Sequence, residues 1–280
     1  MITLSSILVD VDTLEAEHPA LTQAITLAQH SGARLTIVDV LPDVPRRARN
    51  FVTPALEGEL AEHRRQALIA IAAQLRDVPV TATLLRGRAG TALTEEVVRS
   101  GHDLLIRSHG RDLRDEPRPF GAIDMELLRT CPCPVWLVGP HGPRPGRQHI
   151  LAAVHADPDE AVERALNESI IEWGLTLKVL GGAKLTVLQA WFPFGASLVK
   201  SRMTSDEFKT FVDEARRKER EALSTVVEPF GDRRFGAGNQ ASGIHVAGTL
   251  SNAGSVSMTA QEQFTGRHGD TEREGLSAAL

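Results

Sequence analysis

The sequence contains little cysteine and no long apolar run. Cys131 and Cys133 are its only cysteines, which excludes a disulfide framework and favours a reducing compartment. No stretch approaches the roughly 20 apolar residues that a membrane-spanning helix needs. The N-terminus shows no basic region followed by a long apolar core, so we expect no signal peptide. Together these absences predict a cytoplasmic protein that does not bind membranes.

The sequence also lacks a strong excess of charge of either sign. It has 31 Lys and Arg residues against 36 Asp and Glu residues, for a net charge of −5. This balance is too mild to indicate a nucleic-acid partner or an anionic membrane surface. The 42% of hydrophobic residues is enough to fill the cores of two domains of ordinary size.

One segment of the chain occurs twice in nearly the same form. Residues 32–42, which begin Gly-Ala-Arg-Leu-Thr-Ile, return as residues 182–193, which begin Gly-Ala-Lys-Leu-Thr-Val. Each copy follows a short apolar run and a helical stretch, and those runs are residues 7–12 and 150–155. A matched strand–helix–strand order in both halves indicates duplication, and hence two similar modules in tandem.

Apolar patterning predicts alternating strands and helices through the first half. The predicted strands are β-branched apolar runs at residues 4–12, 35–41, 80–85, 103–108 and 135–138. Between them lie amphipathic stretches such as Leu21, Ala24, Ile25 and Ala28, whose spacing puts one apolar stripe on a helix. Strands separated by helices imply parallel neighbours with right-handed crossovers, so the prediction is a doubly wound α/β sheet.

The second half predicts an incomplete copy. A linker rich in Pro and Gly at residues 139–148 separates the modules, which we place at residues 1–140 and 149–235. After about Gly231 the duplication fails, and we expect no counterparts of the third to fifth strands. Residues 236–280 are rich in glycine and small polar residues, as in weakly folding segments. A native extension, an altered reading frame and a truncated module all remain open for this segment.

Four sequence features together resemble the universal stress protein family. They are the acidic strand of residues 7–12, the Gly-Ala-basic-Leu-Thr strand, the segment 108–111, and the Leu-Leu-Arg-Thr-Cys-Pro-Cys-Pro-Val-Trp stretch at residues 127–136. The tandem E-type branch is the most similar, because its first module ends in a comparable Cys-Pro-x-Pro-Val-Trp stretch. The resemblance covers roughly residues 4–138 and 149–231. It implies two tandem modules with an adenine-nucleotide-type α/β fold.

The resemblance also implies a candidate nucleotide site, because the family divides into ATP binders and non-binders. Binders carry G-x2-G-x9-G-[ST] after the fourth strand, where backbone N–H groups and a helix N-terminus can hold phosphates. Here Arg107 replaces the first glycine, the intervening loop has ten residues, and Ala122 replaces the hydroxyl residue. The candidate residues carried over from the family are Asp12, Val40, Gly110, Gly121 and Ala122. Asp12 has capping of its own loop as its alternative role.

The second module matches the nucleotide pattern less well. His155 occupies the position of the strand-end acid, and Gly266 and Gly269 alone show the Gly-x2-Gly spacing. In a glycine-rich segment chance is the better explanation of that spacing. We therefore expect no nucleotide site there.

Other candidate sites have ordinary structural explanations. One residue separates Cys131 from Cys133, so entry into a buried strand is favoured over a metal or redox site. The histidines form no helical zinc-binding pair, and Ser108 lacks the turn of a hydrolase nucleophile. Two clusters of loop arginines are taken as solvated, with contact to an anion or an acidic partner as the alternative: Arg46, Arg47 and Arg49, and Arg111, Arg114 and Arg118.

The sequence thus predicts a non-enzymatic, cytoplasmic stress-response or regulatory protein with a degraded nucleotide loop and no cofactor. An ATP or adenylate sensor that uses the first module is the alternative, and a nucleotide hydrolase lacks a supporting acid–base group. The family pairs modules through their last strands, so self-association within one chain or as a homodimer is expected. No nucleic-acid or membrane partner is expected, and the sequence does not identify a protein partner.

Overall fold

The computed structural model of the protein describes residues 2–109, 120–139, 149–155, 161–181, 183–191, 193, 195–230 and 245–248. These residues fall into two compact units, one within residues 3–144 and the other within residues 145–277. Each unit contains one parallel β-sheet.

The first unit is built on five parallel strands in the order β3-β2-β1-β4-β5. Along the chain the strands are β1 (Ser6–Asp10), β2 (Arg34–Leu41), β3 (Val80–Arg86), β4 (Leu104–Ser108) and β5 (Val135–Val138). Every neighbouring pair is parallel. The chain moves outward from β1 through β2 to β3, then crosses back to place β4 on the other side of β1. This is the predicted doubly wound order, and the predicted strands lie within two residues of the observed bounds.

Four helices connect these strands: α1 (Pro19–Ser31), α2 (Pro54–Gln74), α3 (Ala89–Ser100) and α4 (Ala122–Thr130). Prolines open the first two helices, where a missing N–H costs no hydrogen bond. The Thr53 hydroxyl caps α2 by accepting the N–H of Leu56 at 3.3 Å. Gly101 ends α3 in the left-handed conformation at φ 63°, which glycine adopts without steric cost.

The strands alternate their side chains between two buried faces. On one face, Leu8, Val38 and Leu105 form a cluster with residues of α3 and with Leu127 of α4. Helices α1 and α2 contact the strands as well, and α1 buries Ala24, Leu27 and Ala28. Central strands covered on both faces read as continuous apolar runs, which is why β1 and β2 were recognisable in the sequence.

The second unit has three parallel strands in the order β6-β7-β8. Its elements are β6 (His149–Ala153), α5 (Ala161–Gly181), β7 (Lys184–Gln189), α6 (Ala196–Lys200), α7 (Ser205–Val227), a 3-10 turn (Glu228–Phe230) and β8 (His245–Gly248). Its core combines Ile171 and Leu175 with Leu185 and Val187, and Leu223 and Phe230 pack against them. Thr204 and Glu207 form a capping box at the start of α7.

The register of the second sheet repeats that of the first. Leu35 lies opposite Ile7 in the first sheet, and its sequence counterpart Leu185 lies opposite Ile150 in the second. One expectation is wrong here: no strand was predicted after about Gly231, yet β8 pairs with β7 as β3 pairs with β2. This strand has only four residues, so it shows no period of its own, and its partner β7 is distant in sequence. The rest of the segment 236–280 lies outside the described residues.

Candidate functional site

A cleft of about 430 Å³ lies at the carboxyl ends of β1 and β4, where the strand order reverses. Parallel α/β sheets bind ligands at such a point, because the loops that follow the two strands diverge there. The cleft is lined by the end of β1, the loop after it, the first turn of α1 and the end of β4. Asp12 of the predicted nucleotide site lies on this lining.

Arg107 is the next-to-last residue of β4, and its guanidinium binds two carboxylates from other elements. Its Nε donates to Asp124 Oδ1 at 2.9 Å, and its Nη1 is hydrogen-bonded to Asp10 Oδ2. The side chains of Arg107 and Asp10 are each 14% exposed, and that of Asp124 is 1% exposed. We call these three residues the Arg107 network. It connects β1, β4 and α4 where the family's phosphate loop begins.

Asp124 also occupies the N-terminus of α4. Its Oδ2 accepts the N–H of Gly121 at 2.9 Å, while its Oδ1 accepts from Arg107. A helix N-terminus attracts anions because its first N–H groups are unpaired and the helix dipole is positive there. In this protein a carboxylate of the chain itself already takes that position. Ala122, the first residue of α4, contributes no hydroxyl.

Burial is the main cause of an unusual pKa at Asp10. It raises the pKa of this carboxyl to about 6. The positive charge of Arg107 opposes that rise, whereas the negative charges of Asp39 and Asp12 add to it. Asp10 therefore changes its charge near pH 6, which is well above the usual range of an aspartate.

The structure describes four of the five predicted site residues, which lie in the loop after β1, in β2 and at the start of α4. Asp12 is exposed and accepts the N–H of Leu14 at 3.0 Å, so it caps its own loop. Val40 packs against the cluster that contains Leu8 and Val38, on the sheet face that also carries Asp10 and Arg107. Gly121 and Ala122 stand at the start of α4. Gly110 lies outside the described residues, as do Arg111, Arg114 and Arg118.

A second ion pair lies beside Asp12. Arg64 of α2 places Nη1 at 2.8 and 2.9 Å from the two carboxylate oxygens of the buried Asp39. The hydroxyl of Thr13 also donates to Asp39. Because Arg64 lies 3.8 Å from Asp12, the two acids share one guanidinium. This arrangement joins β2 to α2 and to the loop after β1.

Ser108 contributes to helix capping. Its hydroxyl accepts the N–H of Ala20 in the first turn of α1 at 3.3 Å, a role that the N-cap residue His18 does not fill. The neighbouring His109 donates its backbone N–H to Val138 at 3.0 Å. Within the described residues no group of three or more His, Cys, Asp or Glu side chains could hold a metal ion.

The sequence drew attention to Arg107 but not to its partners. Asp10 was read as part of an apolar strand, and Asp124 as one residue of a short helix. A signal existed for Asp124, because an acid three residues after a helix-preceding glycine is typical of a first-turn cap. The contact with Asp10 had no such signal, because 97 residues separate it from Arg107.

In the second unit, a smaller and mostly apolar cleft of about 390 Å³ borders His155, the counterpart of Asp12. The buried Asn167 of α5 holds the backbone of His155 through two hydrogen bonds of 2.6 and 3.1 Å. The side chain of Asn167 thus fixes the end of β6 to α5.

Comparison with known proteins assigns the first unit to a family. The sequence pattern of the universal stress protein family matches residues 4–139. The first unit is a universal stress protein domain. Universal stress protein E of Escherichia coli K12 is 28% identical over 179 residues, which cover 61% of this chain and 56% of that protein. A homologue of the same protein from Haemophilus influenzae is 30% identical over 86 residues, or 31% of this chain and 28% of its own.

Solved structures share the fold over more of the chain. A functionally unknown protein of Pseudomonas aeruginosa PAO1 covers 88% of this chain with a TM-score of 0.55 and 22% identity, over 74% of its own length. A second Pseudomonas aeruginosa protein, described as a universal stress protein of strain UCBPP-PA14, gives a TM-score of 0.54. The chain thus spans little more than half the length of the Escherichia coli relative that it matches. No helix of the described part is long and apolar enough to cross a membrane.

Proposed function

We propose that this protein acts in the cytoplasm as a non-enzymatic stress-response module whose universal stress protein domain does not depend on ATP. The observation that carries the proposal is the Arg107 network. Asp124 accepts the Gly121 N–H at the N-terminus of α4, and Arg107 pairs with Asp124 rather than facing the cleft alone. Membership of the universal stress protein family supports the stress-response role.

The charge of the cleft supports the same conclusion. Asp10, Asp12, Glu15 and Glu17 line it, and Arg107 is the fixed cation among its described lining residues. A triphosphate carries several negative charges, so it meets like charges on the described lining of the cleft, where the guanidinium of Arg107 is already paired with two carboxylates. Binding of a nucleotide through its phosphates is therefore disfavoured on electrostatic grounds.

Isothermal calorimetry with ATP tests this proposal. The wild-type protein is expected to bind ATP with a Kd above about 100 μM, so the binding free energy should be less negative than about −5.5 kcal/mol. Asp124→Asn keeps an acceptor for the Gly121 N–H but removes the negative charge at the helix, so it should bind ATP several-fold more tightly. A low-micromolar wild-type Kd that is lost in Asp12→Ala would refute the proposal. Equal affinities in wild type and Asp124→Asn would refute the role given to Asp124.

The second candidate function is an adenylate sensor, which the open cleft between β1 and β4 favours. Its Asp12 rim and its volume of about 430 Å³ fit a nucleoside better than a triphosphate. Calorimetry with adenosine and AMP alongside ATP separates the two functions. Tighter binding of adenosine than of ATP supports a sensor of this kind, whereas release of phosphate from ATP would indicate a hydrolase.

Self-association through β5 is the interaction that we propose. Among the described strands β5 pairs only with β4, and the carbonyls of Pro134 and Val138 both face β4. Because strand groups alternate in direction, the N–H of Leu137 faces the open edge. Leu137→Pro therefore removes an edge donor without removing a bond to β4. Light scattering after size exclusion should show loss of any homodimer in Leu137→Pro, with Leu137→Ala as the control.

A further inference from the structure

Two thiols lie in contact where α4 leads into β5. Cys131 ends α4, with its N–H bonded to the carbonyl of Leu127 at 2.9 Å, and Cys133 follows within a bend of the chain. The Sγ atoms are 3.6 Å apart. Both side chains are half-buried, so reagents from solvent can reach them. In an extended strand, side chains two residues apart stand on the same face without touching, and the bend brings these two together.

We propose that Cys131 and Cys133 form a reversible oxidative modification site, in which a hydroperoxide converts the facing thiols into an intramolecular disulfide. The proposal goes beyond nucleotide binding and does not depend on it. It rests on the Sγ–Sγ contact and on the partial exposure of both sulfurs. Cys131 is the residue that reacts first, and Cys133 resolves the intermediate.

The reaction balances with the hydroperoxide as the only co-reactant. The Cys131 thiolate attacks one peroxide oxygen and breaks the O–O bond, which yields a sulfenic acid on Cys131 and releases water or an alcohol. The Cys133 sulfur then attacks the Cys131 sulfur and displaces hydroxide, which leaves as water with the Cys133 proton. Two thiols lose two hydrogens in total, and the peroxide is reduced by two electrons.

The hydrogen bond between the thiols assigns these roles. Either sulfur can donate in the 3.6 Å contact, and the hydrogen bond with Cys133 lowers the pKa of the Cys131 thiol to about 7. The same interaction, together with burial, raises the pKa of Cys133. A thiol whose pKa lies near the ambient pH is the best nucleophile, because it combines a large thiolate fraction with adequate intrinsic reactivity. The larger thiolate fraction outweighs the lower intrinsic nucleophilicity, so Cys131 should react roughly three- to fivefold faster than an ordinary thiol at neutral pH.

The disulfide would join residues only two positions apart, and we expect it to be easy to reduce. Closure brings the two sulfurs from 3.6 Å to a bond of about 2.05 Å, a movement that the bend can absorb. Pro132 lies inside the ring that the bond closes, and Pro134 follows it, so the backbone has little freedom to reach ideal dihedral angles. A disulfide with such departures is more readily reduced than a structural one. The site is therefore suited to cycling between two states.

Because the chain has only these two cysteines, thiol counting reports on this site without background. Purified full-length protein is treated with stoichiometric hydrogen peroxide, blocked with a maleimide and measured by intact mass and a thiol assay. The expected product is a monomer that has lost two hydrogen atoms and both thiols, and dithiothreitol should restore both. A product with added oxygen atoms, or a disulfide-linked dimer, would overturn the proposal.

Two variants test the assigned roles. Cys133→Ala should accumulate a sulfenic acid on Cys131 that dimedone traps, and its alkylation by iodoacetamide should be about three- to fivefold slower than that of wild-type Cys131. Cys131→Ala should leave a Cys133 thiol that reacts more slowly still. Equal rates for the two variants would contradict the order of reaction. Circular dichroism checks that both variants fold, and the wild-type mass measurement tests the proposal independently of them.

Discussion

Removal of the guanidinium from the Arg107 network should destabilise the first unit strongly. Arg107→Met keeps most of the side-chain volume but leaves Asp10 and Asp124 without their cation. Breaking a buried ion pair typically costs about 3–5 kcal/mol, because the remaining charge is left desolvated and unpaired. Asp10 can lower its share by taking up a proton, since its pKa is already raised to about 6. Asp124, 1% exposed, has less access to water, so we expect a loss of about 3 kcal/mol in total.

Urea unfolding followed by far-ultraviolet circular dichroism measures this loss. Two comparisons make the result specific to burial. Arg65→Met removes a guanidinium from an exposed pair with Glu62, and should cost much less, because solvent screens exposed pairs. Adding Asp10→Asn and Asp124→Asn to Arg107→Met should recover most of the stability, because neutral groups tolerate burial. A loss in Arg107→Met no larger than that in Arg65→Met would refute the description of a buried, coupled network.

Three further predictions concern titration and packing. The pKa of Asp10 is about 6 in the folded protein and 3.8 as the unfolded reference, so folding favours the protonated carboxyl. The free energy of unfolding of the wild type should therefore fall relative to that of Asp10→Asn as the pH rises from 4 to 6, by at most about 3 kcal/mol. A difference between the two proteins that does not change with pH would exclude this. Gly58→Ala on α2 adds a Cβ in open space and should raise the thermal midpoint of unfolding. Gly174→Ala on α5 places a Cβ 2.8 Å from Leu185 Cδ1 and should lower that midpoint. A rise in both variants would show that the core of the second unit has room for the added methyl group. Leu35→Ala and Leu185→Ala remove buried side chains at matching positions of the two sheets, and each should lower the free energy of unfolding in urea by about 2–5 kcal/mol. The larger loss is expected for Leu35, which lies in the five-stranded sheet. Equal losses would mean that the two cores are equally well packed.

The sequence by itself determined the parts of the protein that depend on local patterns. Continuous apolar runs at residues 35–41 and 103–108 predicted central strands, because such strands are covered on both faces. Local chemistry also marks helix ends, since Pro19 and Pro54 open α1 and α2 and Gly101 follows α3. The order of these elements and the repeated Gly-Ala-basic-Leu-Thr segment were enough to indicate a doubly wound domain and its family.

Only the tertiary structure decided which side chains meet. Strand β8 has only four residues, too few to show a period, and its pairing with β7 is what defines it. Asp10 and Arg107 are 97 residues apart, and their contact arises because β1 and β4 become neighbours at the point where the strand order reverses. The resemblance to the universal stress protein family predicts that Arg107 stands where ATP binders carry the first glycine of the phosphate loop. That it binds Asp10 and Asp124 follows from long-range pairing, which no local periodicity encodes.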